Sequence, residues 1–432
     1  MGVERRLEPG RLYRAVGPLS LRLASGEALV LGFTARAGDR LVVPRTRTVV
    51  VKPLAEATVE LTLGAGGAFE EARPEEEVVD EWLAASEAIA REAGARSGCY
   101  RVVVLGGVDV GKSSFSAFLA NFCLERGLRV AVVDGDIGQA DVGPPSCVSL
   151  ARVERRVVSL RELEPESMRF VGVDSPGAVK HLVVWALHSL VDDAAAGGAD
   201  VVIVNTDGWV SGPGAKDYKV ALVQALDPDA VVAIQRSGEL EHILRSISWR
   251  RVLRVSSPRA ARRVPFEERR SLRESGYFRF LRGSKVRVLR DVPLMYSYSL
   301  SGSPLPEGAV AMISEVLEAP VVYAEASPEH LVVVVDGEVR CRGGKVEALR
   351  ELLSFGGVVR ILRRGFERGL LVGLLSDGVR CAAIGLLEAI DYRERAIKVR
   401  TAYEGEVAAV ALGRVRLSED GRELEKFKSP PL

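Results

Sequence analysis

The sequence predicts an α/β protein whose parallel sheet, with helices on both faces, is flanked by an N-terminal and a C-terminal β-rich domain. Near-continuous apolar strands alternate with helical segments between about residues 100 and 290, which is typical of a sheet covered on both faces. A glycine-rich stretch, GGVDVGKS, lies between the first of these strands and the first helix. Short β-branched runs broken by glycine precede and follow this region.

Composition narrows the class of protein further. With 432 residues, 47% hydrophobic and 27% charged, the chain has the profile of two to four globular domains and not of a disordered protein. A net charge of +1 means that any nucleic-acid surface must be local. The five cysteines form no CxxC pair, so zinc-ribbon and thioredoxin-type sites are not expected. No signal peptide or membrane span is apparent, so we expect a cytoplasmic protein, and the scarcity of Asn and Gln predicts a thermophilic source.

The chain divides into four predicted parts. Residues 1–73 carry runs such as TVVVKPL and ATVELTL and predict an N-terminal β domain. Residues 74–98 begin with proline and acids and end with glycines, so they predict a connecting helix. Residues 99–291 hold the alternating strands and helices. Residues 292–432 return to short strands and turns, including the DG turn in HLVVVVDGEV, and predict a C-terminal β-rich domain.

The glycine-rich stretch fits GxxxxGK[ST] and has a strand before it and a helix after it, so it predicts a P-loop in a P-loop NTPase sheet. Its backbone N–H groups and the helix N-terminus can bind a triphosphate. Lys112 should reach the β- and γ-phosphates, and the Ser113 hydroxyl should bind Mg²⁺. The predicted nucleotide-binding residues are Gly106, Gly107, Val108, Asp109, Val110, Gly111, Lys112, Ser113 and Ser114.

Carboxylates follow two further strands. Asp134 and Asp136 lie where the next strand ends, at the edge of a parallel sheet where ligands bind. Asp136 could hold Mg²⁺ or accept a proton from an attacking hydroxyl, or it could simply cap a tight turn, and the same alternatives apply to Asp134. The DxxG pattern from Asp174 to Gly177 keeps a GTPase or ATPase switch as an alternative function. The segment NTDGW has no lysine, however, so no guanine-reading motif is visible.

Four segments together, LGGVDVGKSS, DGDIGQADVGPP, VDSPG and NTDGWVSGPGAKDYK, resemble the polynucleotide 5′-hydroxyl kinases. This family includes the RNA kinase of the pre-mRNA cleavage complex, the pre-ribosomal RNA kinase and their archaeal relatives. The resemblance is clearest over about residues 100–290. It implies Mg²⁺-dependent transfer of the γ-phosphate of ATP to the 5′-hydroxyl end of RNA, with DNA and the strandedness of the substrate left open and protein partners unknown.

The resemblance also implies roles for individual residues. Lys112 and Ser113 would bind the triphosphate and the metal, and Asp136 would activate the 5′-hydroxyl. Gln139 would bind the metal shell or the substrate phosphate, and Asp174 would line the substrate site. Trp209 would stack on the terminal base, a contact that tolerates any sequence because every base has a π-face. The alternative for Trp209 is a place in the hydrophobic core.

An arginine segment, defined here as residues 249–290, carries fourteen basic and three acidic residues and supplies the local basic surface. It could form a lid over the nucleotide, in which arginine stabilises the transferring phosphoryl group, or a track for the RNA backbone. A solvated helix face with internal ion pairs is the alternative. Because the family carries arginines on a lid helix, the predicted catalytic arginines are Arg263, Arg269 and Arg270.

Overall fold

The computed structural model describes residues 3–45, 47–73, 76–259, 263–339 and 342–432, which form two compact units. The first unit comprises Met1–Gly143, Val148–Met168 and Ser175–Arg270, and the second comprises Pro144–Cys147, Arg169–Asp174 and Ser271–Leu432. The predicted helix start at Pro74, Arg262 of the arginine segment and Cys341 lie outside the described residues. The four-part division of the sequence stays a prediction.

The first unit begins with nine strands in two antiparallel sheets, ordered β1-β8-β3-β6 and β5-β4-β7-β2-β9. Alternate side chains of these strands, such as Leu19, Leu21 and Leu23 of β3, are buried in one apolar core, as the period of two in a strand requires. The strands are β1 Val3–Leu7, β2 Leu12–Val16, β3 Leu19–Ser25, β4 Glu27–Val30, β5 Phe33–Arg36, β6 Arg40–Val43, β7 Thr48–Pro53, β8 Ala57–Leu63 and β9 Ala68–Ala72.

A central seven-stranded sheet follows, ordered β13-β12-β11-β14-β10-β15-β16. Its strands are β10 Tyr100–Gly106, β11 Val130–Gly135, β12 Cys147–Val153, β13 Ser167–Phe170, β14 Val201–Thr206, β15 Ala230–Gln235 and β16 Val252–Ser256. The helices before, between and after these strands are α1 Val79–Gly94, α2 Lys112–Leu124, α3 Lys180–Ala196, α4 Ala215–Leu226, α5 Glu241–Leu244 and α6 Phe266–Leu281.

Five neighbouring strands of this sheet, β11, β14, β10, β15 and β16, run parallel. Four of them, β10, β11, β14 and β15, are buried and mostly apolar, which confirms the predicted α/β class, whereas the edge strand β16 is partly exposed. Strand β12 was not predicted, and it pairs antiparallel with β11. Because antiparallel neighbours need no helical crossover, the short loop after β11 is enough to connect the two strands.

The second unit holds a β-rich region with two sheets. One is ordered β17-β25-β24-β23-β26-β18, with β27 on β26, and the other β19-β20-β21-β22. Two helices here were not predicted, although Pro306 and the apolar spacing of EGAVAMISEVL are typical of a helix start. The elements are β17 Lys285–Arg290, β18 Leu294–Met295, β19 Ser303–Pro304, α7 Glu307–Leu317, β20 Val321–Ala326, β21 His330–Val335, α8 Arg342–Leu352, β22 Val358–Arg363, β23 Leu370–Leu375, β24 Cys381–Asp391, β25 Ala396–Thr401, β26 Ala409–Leu417 and β27 Glu423–Lys426.

Across the described part of the chain, no helix combines the length and the apolar character needed to cross a membrane.

Candidate nucleotide and phosphate-acceptor site

The P-loop curls tightly between β10 and α2. Gly111 precedes α2 with a φ of 102°, a left-handed conformation that glycine adopts without steric cost. Asp109 also has a positive φ, 57°. A Cβ on Gly106 would lie 2.6 Å from a methyl group of Val110, so only glycine fits there. The buried Lys112 ammonium donates a hydrogen bond to the carbonyl oxygen of Gly107 at 2.6 Å, which fixes the lysine across the mouth of the loop.

Helix α1 supports the P-loop through Trp82. The indole of Trp82 packs edge-on against the rings of Phe115 and Phe118 in α2, with ring centroids 5.4 and 6.0 Å apart. A Cβ on Gly111 would lie 3.4 Å from the same indole. Trp82 also donates its Nε1–H to the carbonyl oxygen of Ser256, at the end of β16, at 3.3 Å. Helix α1 is therefore part of the core that shapes the loop.

The loop after β11 is folded around the buried carboxylate of Asp134. Its Oδ2 accepts the backbone N–H groups of Asp141 and Val142 at 2.7 and 2.9 Å. Its Oδ1 accepts the Asn205 side-chain amide at 3.0 Å and the N–H of Asp136 at 3.3 Å. Burial, with the charge of Asp141, raises the pKa of Asp134 to about 7. These contacts make Asp134 the anchor of the loop, a role that the sequence left open.

Asp136 lies on the same loop and interacts electrostatically with the P-loop lysine. Its Oδ1 accepts the N–H of Gln139 at 2.9 Å, so it also caps a turn. Burial raises the pKa of Asp136, although the Lys112 ammonium opposes this shift. Burial likewise lowers the pKa of Lys112, against the influence of Asp136. The structure thus brings these two predicted residues together as interacting opposite charges.

A second buried carboxylate, Asp141, was not singled out from the sequence. Its Oδ1 accepts from Arg47 at 2.8 Å and from Arg161 at 2.9 Å. Burial alone would raise the pKa of Asp141, but these two guanidinium groups hold it below its ordinary value, and the Ser113 hydroxyl donates to the same carboxylate. Arg47 lies in the N-terminal β region, which therefore contributes an ion pair to the carboxylate that accepts the Ser113 hydroxyl.

Replacing Arg47 with alanine is expected to lower the free energy of unfolding by about 1–3 kcal/mol, because Asp141 stays buried with one of its two guanidinium partners. Chemical denaturation would measure this difference. The matched control is Arg6→Ala, which removes an ion pair with Glu56 that is largely exposed, and which should cost less than about 0.5 kcal/mol. An equal loss of unfolding free energy in the two variants would contradict a stabilising role for the buried ion pair of Arg47 with Asp141.

The predicted catalytic arginines occupy different environments. Arg269, in α6, places its Nη1 3.9 Å from Oδ2 of Asp109 in the P-loop, and its carbonyl oxygen accepts the Gln139 side-chain amide at 3.1 Å. The backbone N–H of Val264 donates to the same Asp109 oxygen at 2.9 Å. Arg263 is exposed before α6, and Arg270 is half-buried in α6. Arg269 therefore contacts both the P-loop and the loop after β11.

Asp174 belongs to the second unit and forms ion pairs there. Its Oδ2 lies 3.3 Å from Nε of Arg273 and 2.5 Å from the Lys426 ammonium. Arg273, which lies in α6, is itself buried and paired with Glu423. The substrate-binding role predicted for Asp174 stays a prediction.

Trp209 follows β14 on a glycine-rich loop that closely approaches the P-loop. A Cβ on Gly208 would lie 2.7 Å from a methyl group of Val108 and 3.0 Å from its Cα, so glycine is required for this approach. The indole of Trp209 is half-buried and stacks on Tyr218 of α4, with ring centroids 5.6 Å apart and planes inclined by 27°. The Lys180 ammonium lies 6.0 Å from the indole centroid. The Trp209 side chain is therefore partly exposed and held in one orientation by Tyr218, and it is not a fully buried core residue.

Comparison with known proteins connects this geometry to a family. Residues 106–283 match the family model described as mRNA cleavage and polyadenylation factor CLP1 P-loop. A polyribonucleotide 5′-hydroxyl-kinase of Thermococcus kodakarensis is 31% identical over 332 residues, covering 75% of this chain and 90% of the relative. One from Pyrococcus horikoshii is 30% identical over 329 residues, covering 75% and 87%.

A solved structure of a Clp1p–Pcf11p complex shares the fold. It aligns with a TM-score of 0.63 at 10% identity, over 96% of this chain and 98% of the matched chain. The sequence relatives, the family model and the P-loop geometry agree. The chain belongs to the polyribonucleotide 5′-hydroxyl-kinase family.

Proposed function

We propose that the protein is a polynucleotide 5′-hydroxyl kinase of the cytoplasm that transfers the γ-phosphate of ATP to the 5′-hydroxyl end of RNA. The observation that carries this proposal is the P-loop itself, in which Gly111 has a φ of 102° and the Lys112 ammonium donates to the Gly107 carbonyl oxygen at 2.6 Å. The carboxylate of Asp136, after the next strand, interacts electrostatically with this ammonium. A phosphate-binding ammonium beside a carboxylate suits a reaction in which a hydroxyl attacks a phosphoryl group. Membership of a family whose relatives are named for this activity supports it.

The proposed mechanism is an in-line displacement. Asp136 accepts the proton of the 5′-hydroxyl as that oxygen forms its bond to the γ-phosphorus, and the bond to the β,γ-bridging oxygen breaks to release ADP. Lys112 and the P-loop N–H groups stabilise the charge on the phosphates. Arg269, already beside Asp109, is the arginine we assign to the transferring phosphoryl group. Trp209 offers its indole to the terminal base.

The residues around Ser113 fit a magnesium ion. The Ser113 hydroxyl lies 3.3 Å from the Asn205 side-chain nitrogen, and the buried Oδ1 of Asn205 has no hydrogen-bond partner among the residues that the structure describes. Together with Asp136 this is an all-oxygen donor set, which Mg²⁺ prefers. Among the described residues no group of three or more His, Cys, Asp or Glu side chains is placed to hold a metal ion. When bound, Mg²⁺ would neutralise charge on the triphosphate.

Transfer of label from γ-labelled ATP to a 5′-hydroxyl oligoribonucleotide tests the proposal. We expect label on the RNA that depends on Mg²⁺, and no label on an oligoribonucleotide that already carries a 5′-phosphate. Release of label only as inorganic phosphate would contradict the kinase and favour the GTPase or ATPase switch. A parallel assay with a 5′-hydroxyl DNA of the same sequence measures the preference between the two nucleic acids.

Replacing Trp209 with alanine is expected to raise the KM for RNA and leave the KM for ATP unchanged, because one stacked base is worth ~1–3 kcal/mol. Steady-state kinetics with each substrate varied in turn measure the two constants. Trp185, an exposed tryptophan of α3, provides the control, and Trp185→Ala should change neither constant. An unchanged RNA KM in Trp209→Ala would argue against base stacking.

A further inference from the structure

Beneath Trp209 lies a buried polar cluster, defined here as Asp207, Tyr218 and Lys219. The Lys219 side chain is fully buried, and its ammonium donates to Oδ2 of Asp207 at 2.9 Å and to the Asp207 carbonyl oxygen at 3.0 Å. The Tyr218 hydroxyl donates to the same Oδ2 at 2.7 Å. A lysine and an aspartate withdrawn from water at this depth are retained only when they are paired and hydrogen-bonded.

The cluster holds both the backbone and the ring of Trp209. The other carboxylate oxygen of Asp207, Oδ1, accepts the Trp209 backbone N–H at 2.9 Å. The Tyr218 ring lies against the indole as a stacked pair. Burial, with the neighbouring charge of Asp207, raises the pKa of Tyr218, so its hydroxyl keeps the proton that it donates. Each member of the cluster thus acts on Trp209 directly or through Asp207.

We propose that Tyr218 and Lys219 are positioning residues for RNA binding, which hold Trp209 in one orientation with a single indole face open to the terminal base. This inference rests on the proposed function of the site. Pre-orientation strengthens a stacking contact, because a ring that is already ordered loses less conformational freedom when the ligand binds. Since Tyr218 occupies one face of the indole, we expect the base to stack on the other face.

The cluster is expected to act on RNA binding and not on the chemical step. Both Asp207 and Lys219 influence the pKa of Lys112, with opposite signs. An intact ion pair adds no net charge to the phosphate site. Tyr218→Phe keeps the pair and the ring and removes only the hydroxyl donor, so kcat and the KM for ATP should stay as in the wild type.

A double-mutant cycle tests whether Tyr218 acts on RNA binding through Trp209. Tyr218→Phe should raise the RNA KM, and the Kd of a 3′-labelled 5′-hydroxyl oligoribonucleotide measured by fluorescence anisotropy, by about three- to tenfold. The same substitution in a Trp209→Ala background should have no effect on either constant. Tyr323→Phe is the matched control, because Tyr323 is also buried and donates to a carboxylate, Glu325, at 2.7 Å. It should change neither constant.

Three results would overturn the inference: no rise in Tyr218→Phe, the same rise without Trp209, or the same rise in Tyr323→Phe. Lys219→Met should raise the RNA Kd further. If that variant does not fold, the double-mutant cycle of Tyr218→Phe and Trp209→Ala still tests the inference. A wild-type protein that binds the oligoribonucleotide but transfers no phosphate would refute the proposed function alone, because the anisotropy cycle does not depend on transfer. A protein that does neither refutes both.

Discussion

Alanine at position 112 is expected to abolish phosphoryl transfer while the protein stays folded. The Lys112 ammonium is held by the Gly107 carbonyl and interacts with the charge of Asp136, so its loss removes a positive charge from the proposed phosphate site. Removing one preorganised charge at such a site lowers kcat by about 10³-fold or more. The label-transfer assay measures kcat, and circular dichroism during heating reports whether the fold is retained.

Lys345 provides a matched control for this substitution. Its ammonium also donates to a backbone carbonyl, that of Leu317, at 2.7 Å, and it lies in the second unit. Lys345→Ala should therefore lose a comparable hydrogen bond and keep full transfer activity. If Lys112→Ala transferred phosphate at a rate near that of the wild type, the role assigned to the P-loop lysine would be wrong.

Asparagine at position 136 is expected to lower kcat by about 10²- to 10⁴-fold, the usual contribution of a general base. The amide of asparagine keeps an oxygen that can accept the Gln139 N–H, so the turn is retained while the proton acceptor is lost. The KM for ATP should change less than kcat. A pre-steady-state measurement at saturating ATP and RNA separates the chemical step from product release.

Asp134 provides the contrast, because it lies two residues away and anchors the loop. Asp134→Ala would leave three buried N–H groups and one partly buried N–H group without their acceptor, and should lower the free energy of unfolding by roughly 2–5 kcal/mol. Asp136→Asn should leave the free energy of unfolding nearly unchanged. If Asp136→Asn were the less stable variant and the more active one, the roles of the two aspartates would have to be exchanged.

Local patterns were enough to predict the P-loop and the parallel strands. The P-loop is determined by residues within eight positions of one another, and the parallel strands are long buried runs such as Val102–Leu105. The residues that follow these strands are then expected at the ligand site, because ligands bind at the carboxyl edge of a parallel sheet. This is why the sequence alone predicts that Lys112 and Asp136 lie at the same edge of the sheet.

Long-range partners were not predictable in the same way. Asp141 is paired with Arg47, which is 94 residues away, and nothing in the local sequence of either residue indicates the contact. Lys219 was visible within the GWVSGPGAKDYK segment, but its burial against Asp207 depends on how α4 turns back after two glycines with positive φ. For the arginine segment, local charge predicted a basic surface, whereas it gave no means to select Arg269 over its neighbours.

The packing of Trp82 against Gly111 has a practical consequence for the design of fragments and of chimeras between relatives. A recombinant piece that starts at Tyr100 would discard the indole that fills the space behind the phosphate-binding turn, and would leave Phe115 and Phe118 facing solvent. Such a fragment should aggregate or bind nucleotide poorly even though every residue of the glycine-rich motif is intact. The junction of a chimera should therefore lie upstream of Val79, so that helix α1 and the P-loop come from the same protein.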